Sequence, residues 1–229
     1  MSAKIRVTIL DDHQSTIDGY LSRLGDTPEI DVVATIYFGE DLEPTLARVP
    51  TDVLLLDVGV PTSAENSNRY PILHLVPKLI RLYPSLKVLV ISMYAEHGLI
   101  QKIIDAGAKG YILKDDRATI LNLGTAIISV ANGGIYLSEK ASKLFLKSKG
   151  RQTDSILTPR QLEALSLCAA YPDILTEDLA QKMGVTSSTV RTLLSGVYDK
   201  LKVGNRAAAI AKAHDLGILT PETDHWSPT

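Results

Sequence analysis

Five polar residues stand where apolar, β-rich runs stop. Asp11 and Asp12 follow IRVTIL (5–10), Asp57 closes VLLLD (53–57), Ser92 closes KVLVIS (87–92), and Lys114 closes KGYILK (109–114). Three carboxylates brought together repel one another unless a cation joins them. Oxygen-only ligands favour Mg2+ or Ca2+ over zinc. Lysine adds a positive charge and serine a hydroxyl. Such a set suits an incoming phosphoryl group: metal and Lys114 neutralise its oxygens, Ser92 bonds one of them, and a carboxylate accepts the phosphorus. A lone Asp at a strand end is ordinary, because Asp caps helices and opens turns. The signal is the recurrence at every strand end but one.

The elements that must hold these groups are legible. Strand-like runs at 5–10, 31–36, 53–57, 87–92 and 109–114 alternate with helix-like periods, among them 72–83 with Pro77 inside it. Strands alternating with helices predict an α/β, doubly wound, five-stranded parallel sheet of the flavodoxin type. In such sheets ligands bind beyond the carboxyl ends of the strands, where strand order reverses. With order 2-1-3-4-5 the five polar residues share that rim.

The character changes after about residue 132. The stretch 137–155 is polar, basic and apolar by turns, and reads as a short helix and a linker. From Leu157 only helices are legible. Thr158-Pro159 is an N-cap followed by Pro at the first helical position. Thr176 is expected to cap the next helix, which stops at Gly184. Four short helices, the middle two joined by MGVTS, fit an all-α helix-turn-helix unit. The expected organisation is an α/β sheet unit at 1–132, a connecting helix and linker at 133–155, a helix-turn-helix at 156–219, and a tail at 220–229.

Composition limits the alternatives. The chain has 229 residues, 45% hydrophobic and 22% charged, with a formal net charge of −2. That describes a globular protein. No stretch approaches about 18 apolar residues, so no membrane partner is expected and the cytoplasm is the expected location. The one cysteine, Cys168, lies in the apolar run LSLCAA and reads as a core thiol. HExxH, GxSxG and P-loop patterns are absent, and the five histidines show no ligand spacing. A separate enzymatic activity is not expected.

Residues 1 to about 130 resemble the receiver domain of two-component response regulators through ILDDH, VLLLDVGVP, VLVISMYAE and AGAKGYILKDD. The resemblance implies that Asp57 is phosphorylated by a histidine kinase. It implies that Asp11, Asp12, Asp57 and the carbonyl of Gly59 hold Mg2+, and that Ser92 and Lys114 contact the phosphoryl oxygens. Tyr111 takes the family's aromatic switch position, although a half-buried strand tyrosine is equally compatible with the residues alone. Asp115 or Asp116 could serve as a metal ligand, but both read more simply as helix caps. One departure stands out: after Pro61 the chain carries TSAENSNRY (62–70), polar, glycine-free and a few residues longer than the family's loop.

LTPRQLEALSLCA and the stretch from Thr176 to Leu219 resemble the LuxR-type helix-turn-helix of NarL/FixJ response regulators. Family geometry implies that the helix from about Ser187 to Leu201 enters the major groove of double-stranded DNA. Carried over by position, Arg191, Thr192 and Ser195 face bases or nearby phosphates. Ser188 and Thr189 suit phosphate contact, and Lys200 and Lys202 lie near the backbone. Val190, Leu194, Val197 and Leu201 form the expected core stripe. Two features run against strong binding. Residues 150–229 carry eight Lys/Arg against nine Asp/Glu, and Gly196 interrupts the helix. The expected function is therefore a transcriptional regulator binding DNA as a homodimer under control of Asp57 phosphorylation. The alternative is a phospho-switch whose helical unit binds a protein partner.

Overall fold

A computed structural model describes residues 3–148 and 156–219. The linker expected around 150–155 and the tail at 220–229 lie outside the described residues. The chain divides into two compact units, Met1–Gln152 and Thr153–Thr229.

The first unit is a parallel sheet in the order β2-β1-β3-β4-β5-β6. Its strands are β1 (Ile5–Leu10), β2 (Ile30–Ile36), β3 (Val53–Asp57), β4 (Lys87–Ser92), β5 (Gly110–Leu113) and β6 (Tyr136–Leu137). The central strands read as continuous apolar runs because both faces are covered. Along β3 the side chains alternate: Val53 and Leu55 enter one core, Leu54 and Leu56 the other. Helix α1 (Gln14–Gly25) lies over the first core, contributing Ile17, Tyr20 and Leu24. Helices α2 (Leu42–Arg48), α3 (Ile72–Leu82) and α4 (His97–Asp105) cover the second. The strand order reverses direction around β1, which pairs with both β2 and β3, so the crevice opens between Asp11 and Asp57.

Two stretches differ from the sequence reading. The sequence after β5, ATILNLGTAIISVANGG (118–134), reads as one helical run but forms two helices, α5 (Arg117–Leu121) and α6 (Leu123–Ala131), divided at Asn122 with φ −112° and ψ 33°. Asn122 has left helical geometry, and its side-chain amide donates to the Ala118 carbonyl at 3.0 Å. The stretch expected as connector folds onto the sheet instead. Tyr136 and Leu137 pair with Gly110 and Tyr111 as a sixth strand, and α7 (Glu139–Ser148) packs on α4. The reason is apolar spacing: Leu137, Ala141, Leu144 and Phe145 join the core that holds Leu99, Ile100 and Ile103. Ser138 fastens the junction, accepting from the Leu113 amide at 3.2 Å.

The second unit has four helices: α8 (Pro159–Ala170), α9 (Thr176–Met183), α10 (Ser187–Leu201) and α11 (Arg206–Asp215). Thr158 and Gln161 close a reciprocal capping box at the start of α8. Thr176 is the first helical residue of α9; the N-cap is Leu175, whose side chain caps nothing, so the expected Thr176 cap is corrected by one position. Gly184 ends α9 at φ 63°, a left-handed conformation that glycine adopts without steric cost. Thr186 caps α10, accepting from the Thr189 amide. Val190, Leu194, Val197 and Leu201 are all buried, as the spacing predicts. Cys168 is buried in the core and burial pushes its thiol pKa up.

Candidate functional site

Asp57 is the last residue of a strand whose five positions are all buried. Each of its oxygens has a partner. Oδ1 accepts from the Gly59 amide at 3.0 Å, and Oδ2 accepts from Lys114 Nζ at 2.8 Å. Lys114 also donates to Asp11 Oδ2 at 2.7 Å. One ammonium from the end of β5 thus joins carboxylates from the ends of β1 and β3. Asp11 is fully buried, Asp57 retains 6% exposure, and Asp12 is half-buried.

The electrostatics follow from this packing. Burial disfavours the Lys114 ammonium, yet Asp57 and Asp11 outweigh it and its pKa is raised. Burial holds the Asp11 carboxyl above the ordinary carboxylate range, with Lys114 pulling the other way. Asp11 and Asp57 share one lysine and Asp12 adds a third carboxylate beside them, so the site is short of positive charge. Its donors are oxygens, and a hard divalent cation fits that donor set. Asp12 is turned toward His13, whose Nδ1 lies 2.9 Å from Asp12 Oδ1. Asp11, Asp12 and His13 form a group with ligand atoms close enough for one metal ion. His13 was not expected to have ligand spacing; it enters because it follows the acidic pair directly at the start of α1.

Ser92 is fully buried, and its Oγ accepts from the Tyr94 amide at 3.1 Å. Tyr111 is fully buried rather than half-buried, and its hydroxyl donates to the Tyr94 carbonyl at 2.8 Å. Burial raises its pKa. The Tyr111 ring therefore lies inside, tied to the loop after β4. Asp116 caps α5 through the Thr119 amide and also accepts from the Glu139 amide. Asp115 pairs with Lys140. Both are engaged by residues of α7, and Asp116 rather than Asp115 is the helix cap.

Sequence reasoning missed Arg69. It lies in the long loop after Pro61 and donates from Nη1 to the Gly59 carbonyl at 2.8 Å. Its guanidinium carbon lies 5.3 Å from the centre of the Tyr94 ring. The available signal was a single arginine in an otherwise polar, uncharged-to-acidic loop.

In the second unit Ser188, Thr189, Arg191, Thr192, Ser195, Lys200 and Lys202 are all exposed on α10 or at its end. Lys200 is engaged: its Nζ donates to Gln161 Oε1 at 2.9 Å. Lys202 ends the helix at φ 57°. Arg191 Nη2 lies 3.9 Å from Glu177 Oε1, a loose surface pair.

The receiver model of the response regulators matches residues 7–123, and the model of the luxR family of bacterial regulatory proteins matches residues 155–213. The chain belongs to the response regulators. This regulator is 27% identical over 232 residues to the transcriptional regulatory protein DegU of Brevibacillus brevis, covering 92% of this chain and 93% of that one. It is 27% identical over 228 residues to the DNA-binding transcriptional activator DevR/DosR of Mycobacterium tuberculosis, covering 96% and 99%. Its fold is similar to that of RcsB from Salmonella enterica serovar Typhimurium, solved on promoter rprA with the phosphomimetic BeF3−. There the TM-score is 0.60 at 22% identity, covering 91% of this chain and 98% of that one. The response regulator thus combines a receiver with a LuxR-type DNA-binding unit. Among the described residues, no helix is long and apolar enough to cross a membrane.

Proposed function

We propose that this response regulator accepts a phosphoryl group on Asp57 from a histidine kinase and regulates transcription through double-stranded DNA. One observation carries the reading: Lys114 bridges Asp57 and Asp11 at the carboxyl rim of the sheet. A carboxylate oxygen of Asp57 would form the new bond to phosphorus while the P–N bond to the donor imidazole breaks, its electron pair returning to the ring. Lys114 turns from the carboxylate toward the transferred oxygens, and the Ser92 hydroxyl bonds another. Asp11, Asp12, Asp57 and the Gly59 carbonyl would hold Mg2+, which supplies neutralising charge when bound.

The output route starts at Tyr94. Its amide donates to Ser92 and its carbonyl accepts from Tyr111, so a shift of Ser92 is felt at Tyr111. Tyr111 lies on β5 under α4, and both are covered by β6 and α7. A change there therefore reaches α7, which leads into the residues joining the two units. This differs from a free α4–β5 surface: the chain's own segment lies on it. Homodimerisation of the phosphorylated form, and a cytoplasmic location, belong to this reading.

The test is fluorescence anisotropy on a selected operator at fixed salt, with and without beryllofluoride and Mg2+. Tighter binding with the phosphoryl mimic, lost in Asp57→Asn, supports the reading. Equal binding in both states contradicts control through Asp57.

A further inference from the structure

The loop at 62–70 is built, and what it builds is the placement of Arg69. Pro61 and Arg69 face each other in an antiparallel bridge. The Thr62 amide donates to the Asn68 carbonyl at 2.8 Å, and the Tyr70 amide to the Val60 carbonyl at 3.0 Å. Thr62, fully buried, adds a second bond to Asn68 through its hydroxyl at 2.7 Å. The loop thus doubles back on the segment that leaves Asp57. Its end is pinned by Tyr70, which is buried and packs closely against Gly39; a Cβ there would fall 1.9 Å from the ring. Arg69, a member of that bridge and next to this anchor, thus has its backbone held beside the segment that leaves Asp57.

It points at the phosphorylation site. Nη1 donates to the carbonyl of Gly59, two residues beyond Asp57, at 2.8 Å. A Cβ on Gly59 would come 2.8 Å from Nη1, so the bare backbone lets the guanidinium approach this closely. The carbonyl that a cation would need is therefore engaged by a guanidinium. A lone pair shared with a charged donor is a poorer metal ligand, and a positive charge beside the site opposes a dication.

We propose that Arg69 is a built-in competitor for the divalent cation: the cation takes the Gly59 carbonyl only when the guanidinium gives it up. The proposal rests on the reading of Asp11, Asp12, Asp57 and Gly59 as the metal site. Release does not strand the arginine. It is only partly buried, and the face of Tyr94 already lies 5.3 Å away to hold its charge. The loop that lengthens the chain after Pro61 thereby sets the cation concentration at which the acceptor site is loaded.

The probe is Mn2+, with free ion counted by electron paramagnetic resonance on the full-length, unphosphorylated protein. Arg69→Met keeps the apolar stem and removes the charge and the donors. It should bind Mn2+ at least about fivefold more tightly than wild type. Arg69→Lys, which keeps charge but loses the fork, should fall between them. Asp12→Ala should abolish binding in either background. Arginine side-chain NMR of the wild type gives an independent readout that no folding defect can mimic: the Arg69 guanidinium signal should shift as Mg2+ saturates the site. Equal or weaker Mn2+ affinity in Arg69→Met, with binding still dependent on Asp12, overturns the competition and leaves the metal site standing. An unmoved guanidinium signal at saturation also overturns it. No saturable binding to any of the proteins overturns the metal site and the competition together.

Discussion

Lys114 Nζ lies 2.8 Å from Asp57 Oδ2, although the two residues are 57 positions apart in the chain. Two parallel strands separated by β4 bring them to one rim. The contact neutralises a buried carboxylate that the strand's apolar run would otherwise reject. Lys114→Met should therefore cost about 1–3 kcal/mol of stability in EDTA, because Asp11 and Asp57 then face each other unpaired. Mg2+ should restore more stability to the variant than to wild type, since binding to the folded state alone stabilises it. Urea unfolding with and without Mg2+ measures both effects.

His74, in α3, has an Nδ1 that is buried without a hydrogen-bond partner. Burial, aided by Lys78, lowers its pKa from 6.5 to about 4. The folded state thus binds its proton less readily than the unfolded state. The stability from neutral His74 is fully present above about pH 6.5, is lost as pH falls toward about 4, and levels off below that. The whole step is at most about 3 kcal/mol. His74→Leu should flatten the stability profile across this window in denaturant titrations.

Gly196 looks like a defect in α10 from the sequence, and the structure gives its reason. A Cβ there would stand 2.5 Å from Gln161 Nε2. That amide is not free to swing away: its Oε1 accepts from the Thr158 amide and from Lys200. Gly196→Ala should destabilise the second unit by about 1 kcal/mol despite its better helix propensity. In a Gln161→Ala background the same change should become stabilising by roughly 0.5–1 kcal/mol. Thermal melts of the four proteins complete the cycle.

The strands and their polar ends were legible because β periodicity and burial are written along the chain. The core stripe of α10 was legible for the same reason. The sixth strand was not, since two residues carry no period and Tyr136–Leu137 pairs only because β5 leaves an edge for it. Helix α7 was visible as a helix, but its attachment to α4 depends on Leu144 and Phe145 meeting a surface that only the fold defines. Arg69 was invisible as a site residue because its role comes from a loop doubling back, held by Tyr70 on Gly39. Lys200 was read as lying near the DNA backbone; its bond to Gln161 was not legible, because it depends on the packing of α8 against α10.

Arg191 is exposed in the second turn of α10, with only a loose contact to Glu177. Arginine contacts to guanine discriminate by about 1–3 kcal/mol, while Thr192 and Ser195 offer weaker bonds. Arg191→Ala should lower specific DNA affinity at least about tenfold and leave receiver phosphorylation unchanged. Anisotropy titration on a selected operator reads the first and phosphodonor labelling the second. Unchanged affinity would move the contact elsewhere, and failure to select any operator would favour a protein partner for this unit.

The central claim is that Asp57 receives the phosphoryl group with the help of a divalent cation and Lys114. Its most direct measurement is mass spectrometry of the protein after incubation with a small-molecule phosphodonor and Mg2+, with the adduct located by peptide mapping. The account predicts one acid-stable, base-labile phosphoryl group on Asp57, absent in Asp57→Asn and absent when EDTA replaces Mg2+. Equal labelling of Asp57→Asn, or labelling of the wild type that survives EDTA, would contradict it.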